Sequence, residues 1–266
     1  MLRLVISDVD CRCATLREAS GIGGAQSSGG AVNLARRLYE FGGHIYLAPL
    51  LRREARQFGP EINEGAVQYA LALRTLTDRA AHDVLDVGTG LSAWPSLLAG
   101  CGFRVTAVDE FSRYWGAGRP FNRHFLVQQD DITRSRLAPG FDALTCLNVM
   151  MAITNDEAAI AGMVGLLRPG GLLVLSFPYN ERKAVANVYT LPDAGYGQNF
   201  RFPCRVYSRA DINRWLAETS GELIVQERYE MFTGELWTMG ERVPPRRVSA
   251  DEPHQFTTVV IRKPAI

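Results

Sequence analysis

Two glycines separated by one residue follow a short apolar run that contains an acidic residue. The segment is DVGTG at residues 86–90, and Ser92 follows two residues later. Glycine tolerates a sharp turn and lets a ligand approach the backbone closely, while a helix beginning at such a turn attracts an anionic group. The pattern therefore predicts a small-molecule site at a strand-to-helix turn, although an ordinary tight turn would contain the same glycines.

Further acidic residues stand at the ends of the next two predicted strands. Asp109 follows Asp86 by 23 residues, and a carboxylate at that position can accept hydrogen bonds from both hydroxyls of a ribose. Asp130 and Asp131 precede Ile132; an acid beside an apolar residue can accept from an adenine amino group while the aliphatic side chain covers the ring. Because the carboxyl ends of parallel strands share one crevice, these acids indicate a cofactor that contains a nucleoside.

Short apolar strands that alternate with helices must position these residues. Strands are predicted at 83–88, 103–110, 124–131, 141–150 and 171–178, and two strand-like segments, 222–232 and 256–263, close the chain. Helices are predicted at 61–76, 93–99 and 156–167, and a further helix starts at its N-cap, Ser208. This alternation is typical of a parallel α/β sheet covered by helices on both faces.

Residues 83–178 resemble the core of a class I S-adenosylmethionine-dependent methyltransferase. The matching pieces, in order, are VLDVGTG, VTAVDE, QDDIT, FDALTCLNVMMAI and LLRPGGLLVLSFP. The resemblance implies a Rossmann-like sheet of seven strands, the last antiparallel, with helices on both faces and an N-terminal helical cap. It also implies S-adenosylmethionine as the cofactor, with S-adenosylhomocysteine as the product.

The resemblance further implies roles for particular residues. Asp86, Gly88 and Gly90 would surround the methionine part, Asp109 would bind the ribose, and Asp131 with Ile132 would bind the adenine. We add neighbouring residues to this cofactor site: Thr89, Ser92, Glu110, Asp130 and Asn148. Ser92 stands where the family often has a third glycine, and its hydroxyl could bond the cofactor carboxylate. Met151 and Ala152 replace the Glu-His of many small-molecule members, so no catalytic histidine carries over.

The segment 179–207 follows the fifth predicted strand and is expected to bind the acceptor. It is rich in aromatic and amide groups, which suit stacking and hydrogen bonding to a polar ligand. The predicted substrate-binding residues are Tyr179, Asn180, Tyr196 and Tyr207. Tyr179 and His254, which precedes the last strand, are the predicted catalytic residues. The expected acceptor is a small molecule or a glycan, and no metal site is predicted.

Composition excludes several other classes of protein. Lys and Arg number 29 against 28 Asp and Glu, a net charge of +1, which gives no overall attraction to nucleic acid or to a membrane. Five cysteines without a CxxC pattern indicate reduced thiols, and no secretory leader is visible. We therefore expect a cytoplasmic biosynthetic enzyme, consider a homodimer, and divide the chain into an N-terminal extension at 1–60 and a methyltransferase domain at 61–266.

Two other functions stay open on the sequence. The first is an NAD-dependent dehydrogenase, since Gly88, Gly90 and Ala93 also fit a dinucleotide-binding fingerprint; Asp86 argues against it, because that fingerprint normally has an apolar residue there. The second is a catalytically silent methyltransferase-fold subunit that binds a partner. The missing Glu-His pair favours that alternative, and the intact cofactor acids oppose it.

Overall fold

A computed structural model describes residues 63–111 and 122–265. The strands of this part are β1 Asp83–Val87, β2 Arg104–Asp109, β3 Val127–Gln129, β4 Phe141–Leu147, β5 Leu167–Pro178, β6 Glu222–Phe232, β7 Arg242–Val248 and β8 Phe256–Arg262. Its α-helices are α1 Glu64–Asp78, α2 Trp94–Gly100, α3 Asp156–Leu166 and α4 Arg209–Thr219. The predicted extension at 1–60 lies outside the described residues, so the proposed domain division stays a prediction.

The strands form a single mixed sheet in the order β3-β2-β1-β4-β5-β8-β6-β7. The neighbours among β1 to β5 pair in parallel, and β8 pairs antiparallel with both β5 and β6. The expected α/β class and the antiparallel last strand are therefore confirmed. A chain that reverses its order between β1 and β4 opens a crevice at the carboxyl ends of these strands.

The expected count of seven strands is wrong for this sheet, which has eight in the described part of the chain. The additional strand is β7, which pairs only with β6 at the edge. It contains Pro244 and Pro245, which cannot donate a backbone hydrogen bond and are tolerated only at an edge. Because prolines are rare in strands, the composition of this segment did not predict a strand.

Helices cover both faces of the sheet because the central strands are apolar on both. On one face Leu85 and Leu144 pack with residues of α3 and α4, including Ile160 and Trp215. On the opposite face Val84 and Ala143 pack with α1 and α2, through Leu71, Leu76, Trp94 and Leu98. Successive strand residues point to opposite faces, so each central strand contributes to two cores and is held firmly in place.

The helix ends follow local chemistry. The Asn63 side chain accepts from Gly65 N at 3.0 Å and caps α1, which therefore begins slightly later than predicted. The backbone N–H of Ser208 donates to the Asp211 carboxylate at 2.8 Å, which gives α4 its predicted start. No helix within the described ranges is both long enough and apolar enough to span a membrane.

Candidate functional site

A cavity of about 450 Å³ opens at the carboxyl edge of the sheet, where β1, β2, β3 and β4 end. Its lining includes the following residues predicted to bind the cofactor: Gly88, Asp109, Glu110, Asp130, Asp131, Ile132 and Asn148. The structure therefore brings the acids of two strand ends, the first glycine of the turn after β1 and the residue after β4 around one space. The remaining predicted cofactor residues, Asp86, Thr89, Gly90 and Ser92, belong to β1 and the turn that follows it.

The glycine turn between β1 and α2 needs both of its glycines. Gly88 has φ +74° and Gly90 has φ +54°, values in the left-handed region that side chains disfavour. A Cβ on Gly88 would also overlap the side chain of Val149 at the end of β4. The backbone of the turn can therefore lie close to the cavity only with glycine at position 88.

Asp86 is a buried carboxyl beneath this turn. Its side chain accepts hydrogen bonds from the hydroxyls of Thr89 and Thr145, both at 2.7 Å. Burial raises the pKa of Asp86 to about 7, and the nearby charge of Asp109 raises it slightly further. The two hydrogen bonds from the threonine hydroxyls act in the opposite direction and lower it. A cationic group bound nearby would favour the ionised form of Asp86.

Asp109 connects the end of β2 to the glycine turn. One carboxylate oxygen, Oδ2, accepts from Gly90 N at 2.6 Å, and the residue is 8% exposed and lines the cavity. The carboxylate is thus oriented by the turn itself. A small shift of the turn would move the acid that we expect to bind the ribose.

Asn122 holds the same turn from a third direction, and sequence analysis missed it. Its Nδ2 donates to the carbonyl oxygens of Gly90 at 3.0 Å and Ser92 at 2.9 Å. Its Oδ1 accepts from the backbone N–H groups of His124 at 2.8 Å and Phe125 at 3.0 Å. The buried amide therefore uses its full hydrogen-bonding capacity. In the sequence, the only signal for this role is that Asn122 stands in an Asn-Arg-His run outside the strands.

The acids after β3 have two different settings. The Asp130 carboxylate accepts from Ser135 Oγ and from Arg136 N, so it closes the loop that follows the strand. Asp131 accepts from Thr133 N at 3.0 Å and caps a short 3₁₀ turn. Ile132 lies in that turn and is buried at the cavity wall. An acid and an apolar side chain thus stand side by side at the cavity, as the adenine prediction requires.

Helix α1 contacts both the glycine turn and the end of β4. The Tyr69 hydroxyl lies 3.0 Å from Ser92 Oγ, an oxygen that also accepts from Trp94 N. Gln68 Oε1 accepts from Ser176 Oγ at 2.6 Å, and Ser176 Oγ accepts from Asn148 N at 2.8 Å. Helix α1 is therefore bonded directly to the glycine turn and, through Ser176 of β5, to Asn148 after β4.

The predicted catalytic residues lie elsewhere, in a partly buried polar cluster beside β5, β6 and β8. Glu181 accepts from Tyr179 Oη, Arg209 Nε and Arg228 Nε, each at 3.0 Å. Partial burial acts to raise the pKa of Glu181, but these three hydrogen bonds outweigh it and hold the pKa below its ordinary value. His254 stacks on the Tyr179 ring with centroids 5.6 Å apart.

His254 itself is 5% exposed. Its Nδ1 lies 2.7 Å from Glu252 O, and its Nε2 is buried 3.8 Å from the Glu181 carboxylate. Burial lowers the pKa of His254, so the ring is neutral near pH 7. Neither His254 nor Tyr179 is among the described residues that line the cavity, and we correct their expected catalytic role to a structural one in this cluster.

The residues predicted to bind the substrate lie in different environments, and not all of them are accessible to a ligand. Tyr179 and Tyr207 are 0% and 1% exposed, and the Tyr207 hydroxyl donates to Met150 O at 2.9 Å. Buried rings cannot stack on a ligand, so we correct the expectation that these two tyrosines bind the substrate: they pack in the core. Asn180 Oδ1 accepts from the backbone of residues 182 and 183 and shapes a turn. Tyr196 is 38% exposed. Phe202 is the residue of segment 179–207 that lines the cavity, and sequence analysis did not single it out.

Metal chemistry finds no support in the described side chains. Across 63–111 and 122–265, no group of three or more His, Cys, Asp or Glu residues is arranged to hold a metal ion. The carboxylate of Asp156 accepts from Arg205, Arg214 and Trp215 at 2.8–2.9 Å. That carboxylate joins α3 to α4.

Comparison with known proteins adds family information to this geometry. A family model described as a methyltransferase domain matches residues 46–223, more than half of the chain. Ubiquinone biosynthesis O-methyltransferase of Xanthomonas oryzae pv. oryzae is 31% identical over 105 residues, which cover 37% of this chain and 44% of that protein. The enzyme of the same name from Rickettsia felis is 27% identical over 111 residues, covering 40% and 46%. The matches thus span less than half the length of these relatives.

A solved structure has a similar fold. It is 1,6-didemethyltoxoflavin-N1-methyltransferase of Burkholderia thailandensis, crystallised with 1,6-didemethyltoxoflavin and S-adenosylhomocysteine. The TM-score is 0.51, the identity is 14%, and the match covers 92% of this chain and 94% of that one. At this identity the likeness establishes the fold alone.

Proposed function

The chain belongs to the methyltransferase domain family, and from that premise we propose that it transfers a methyl group from S-adenosylmethionine to a small-molecule acceptor. The observation that carries the proposal is the convergence of the glycine turn, Asp109 and the Asp131–Ile132 pair on one cavity. The family relation explains why these groups recur at successive strand ends. The cavity explains how they could act on one ligand.

The residues present fit this cofactor. Gly88 lets the turn lie against Val149 at the cavity wall, since any side chain there would overlap Val149. Asn148 Oδ1 at the end of β4 is buried and has no hydrogen-bond partner among the residues described, although the residue lines the cavity. Such an acceptor atom is costly unless a donor reaches it, and the cofactor carries amino groups that can donate.

The chain's own groups would bind and orient the cofactor. Asp109 would accept from the ribose hydroxyls while it stays bonded to Gly90 N. Asp131 would accept from the adenine amino group, and Ile132 would cover the ring. Asp86 would supply negative charge beneath the turn once it is ionised.

S-adenosylmethionine, when bound, supplies a methyl group whose bond to sulfur breaks as an acceptor lone pair attacks, leaving a neutral thioether. The protein's main contribution to this displacement is alignment of the two reactants, which can lower a barrier by several kcal/mol. The walls formed by Val149, Met151 and Phe202 would exclude water from the acceptor side. The atom methylated is set by whichever acceptor group these walls direct to the methyl carbon.

The dehydrogenase alternative predicts a different ligand from the same cavity. It requires NAD binding, and the buried carboxyl of Asp86 disfavours it, because an acid beneath the turn would lie close to the pyrophosphate that such a turn holds. The silent-subunit alternative predicts cofactor binding without turnover. The homodimer considered from the sequence stays a prediction.

Calorimetry on the full chain tests the proposal. S-adenosylhomocysteine should bind and NAD should not. Asp109→Asn keeps an oxygen for Gly90 N but removes the charge, so we expect a loss of about 1.5–3 kcal/mol, which is a rise in Kd of about ten- to 150-fold. Glu222→Gln is the matched control, because Glu222 is 61% exposed and pairs with Arg262 at the other edge of the sheet. Binding of NAD without S-adenosylhomocysteine would refute the proposal.

A further inference from the structure

A row of aromatic rings in segment 179–207 runs from the cavity to the surface. Phe202 lines the cavity, and Phe200 stacks on it with ring centroids 5.5 Å apart. Tyr189 meets Phe200 edge to face at 5.3 Å, and Tyr196 lies 6.1 Å from Tyr189. We call Phe202, Phe200 and Tyr196 the aromatic strip; Tyr189 is buried beneath it.

The outer part of the strip is exposed to an extent that packing does not explain. Phe200 is 51% exposed and Tyr196 is 38% exposed. Only three other large apolar side chains in the described ranges are exposed to a similar or greater extent, and all three are leucines, at positions 91, 97 and 126. Exposed aromatic rings that pack on one buried ring, here Tyr189, are typical of a binding surface.

The strip continues into an apolar wall of the cavity. Met151, a wall residue after β4, is joined to the same segment, since its carbonyl accepts from Arg205 N at 3.0 Å and its Sδ lies 3.8 Å from Cys204 Sγ. Val149, Ala152 and Ile153 extend this wall. The carboxylates of the lining come instead from the ends of β2 and β3. The cavity is therefore acidic at one end and apolar at the end that meets the strip.

We propose that the acceptor is a planar aromatic molecule that lies along the aromatic strip and places its reacting atom at the apolar end of the cavity. This inference rests on the proposed function and names its substrate class. Stacking on Phe200 and Phe202 would suit flat rings. A glycan would need polar partners for its hydroxyls, and the Tyr196 hydroxyl is the single side-chain polar group of the strip.

The test uses 2-naphthol as an aromatic ligand and N-acetylglucosamine as a glycan-type ligand, each titrated by calorimetry into protein saturated with S-adenosylhomocysteine. We expect 2-naphthol to bind and N-acetylglucosamine to bind more weakly or not at all. Phe200→Ala and Phe202→Ala should each raise the Kd for 2-naphthol by about three- to tenfold. Leu126→Ala is the control, because Leu126 is 78% exposed and outside the strip, and it should change nothing.

The outcomes separate this inference from the function on which it rests. Failure of the parent protein to bind S-adenosylhomocysteine would overturn both. Normal binding of S-adenosylhomocysteine with 2-naphthol affinity unaltered in both Phe variants would overturn the strip alone. A third result, in which Phe200→Ala lowers the Tm of the ligand-free protein but leaves 2-naphthol affinity unchanged, would show that other residues of the chain cover the strip, and would overturn the inference as well.

Discussion

Replacing Asn122 should loosen the glycine turn and weaken the cofactor without unfolding the domain. The side chain makes two hydrogen bonds to the turn, to the carbonyls of Gly90 and Ser92. A typical bond contributes about 0.5–1.5 kcal/mol net, so Asn122→Ala should remove about 1–3 kcal/mol of support from the bound shape of the turn. If binding restores that shape, the Kd for S-adenosylhomocysteine should rise by about five- to 150-fold.

Asn122→Asp provides a sharper form of the same test. It keeps the oxygen that accepts from the backbone of His124 and Phe125, but it loses both donors and places a carboxylate beside two carbonyl oxygens. Its cofactor affinity should therefore be at least as low as that of Asn122→Ala. Arg123→Ala, an exposed neighbour, is the control. Calorimetry on variants with the parent's far-UV spectrum decides the matter, and a Kd within twofold of the parent for Asn122→Ala would refute the reasoning.

Two further predictions concern buried groups. Burial raises the pKa of Asp86 to about 7 from its ordinary value of 3.8. The ligand-free folded protein therefore keeps a proton on Asp86 at pH values where the unfolded chain has lost it. This difference stabilises the folded state fully below about pH 3.8, and the stabilisation is lost as the pH rises through about 7. Affinity for the cationic cofactor should rise over the same interval in calorimetric titrations at several pH values, and Asp86→Asn should abolish that rise. Tyr179→Phe should cost about 0.5–1.5 kcal/mol of unfolding free energy, measured by urea denaturation, because it removes a hydrogen bond to Glu181; cofactor affinity should stay unchanged, and Tyr196→Phe should alter neither quantity. A flat pH profile in the first case, or parent-like stability in the second, would contradict these assignments.

Much of the sheet could be predicted because strand identity is a local property. Residues 83–88 and 103–110 are short apolar runs, and parallel pairing puts their acidic ends at one edge whatever the loops do. That is why Asp109 could be assigned to the crevice without a structure. β7 escaped prediction for the opposite reason, since two prolines remove the local signal and only pairing with β6 makes the segment a strand.

The residues that were placed wrongly, or were missed, depend on long-range contacts. Tyr207 stands in a segment without periodicity, and only its packing against the core shows that its ring is buried. Asn122 bonds to carbonyls some 30 residues earlier in the chain, a relation that no spacing rule encodes. Phe202 differs from the other aromatic residues of its segment only because it faces the cavity. The type of a residue shows which contacts its side chain can make, and its position in the fold decides whether the side chain reaches a ligand.

Position in the fold also decides which side chains could take a proton from the acceptor. His254 has the right chemistry for a base, but its ring is enclosed by Tyr179 and the Glu181 cluster. The described residues that line the cavity contain neither histidine nor lysine, and their carboxylates lie at the end assigned to the nucleoside. An acceptor bound at the apolar end, as we propose, would meet neither of these side chains among the described lining residues. An aromatic amine already carries a reactive lone pair, and a phenol ionises near pH 10, far more readily than a sugar hydroxyl. An aromatic amine or phenol therefore suits both the described apolar wall and the aromatic strip beside it.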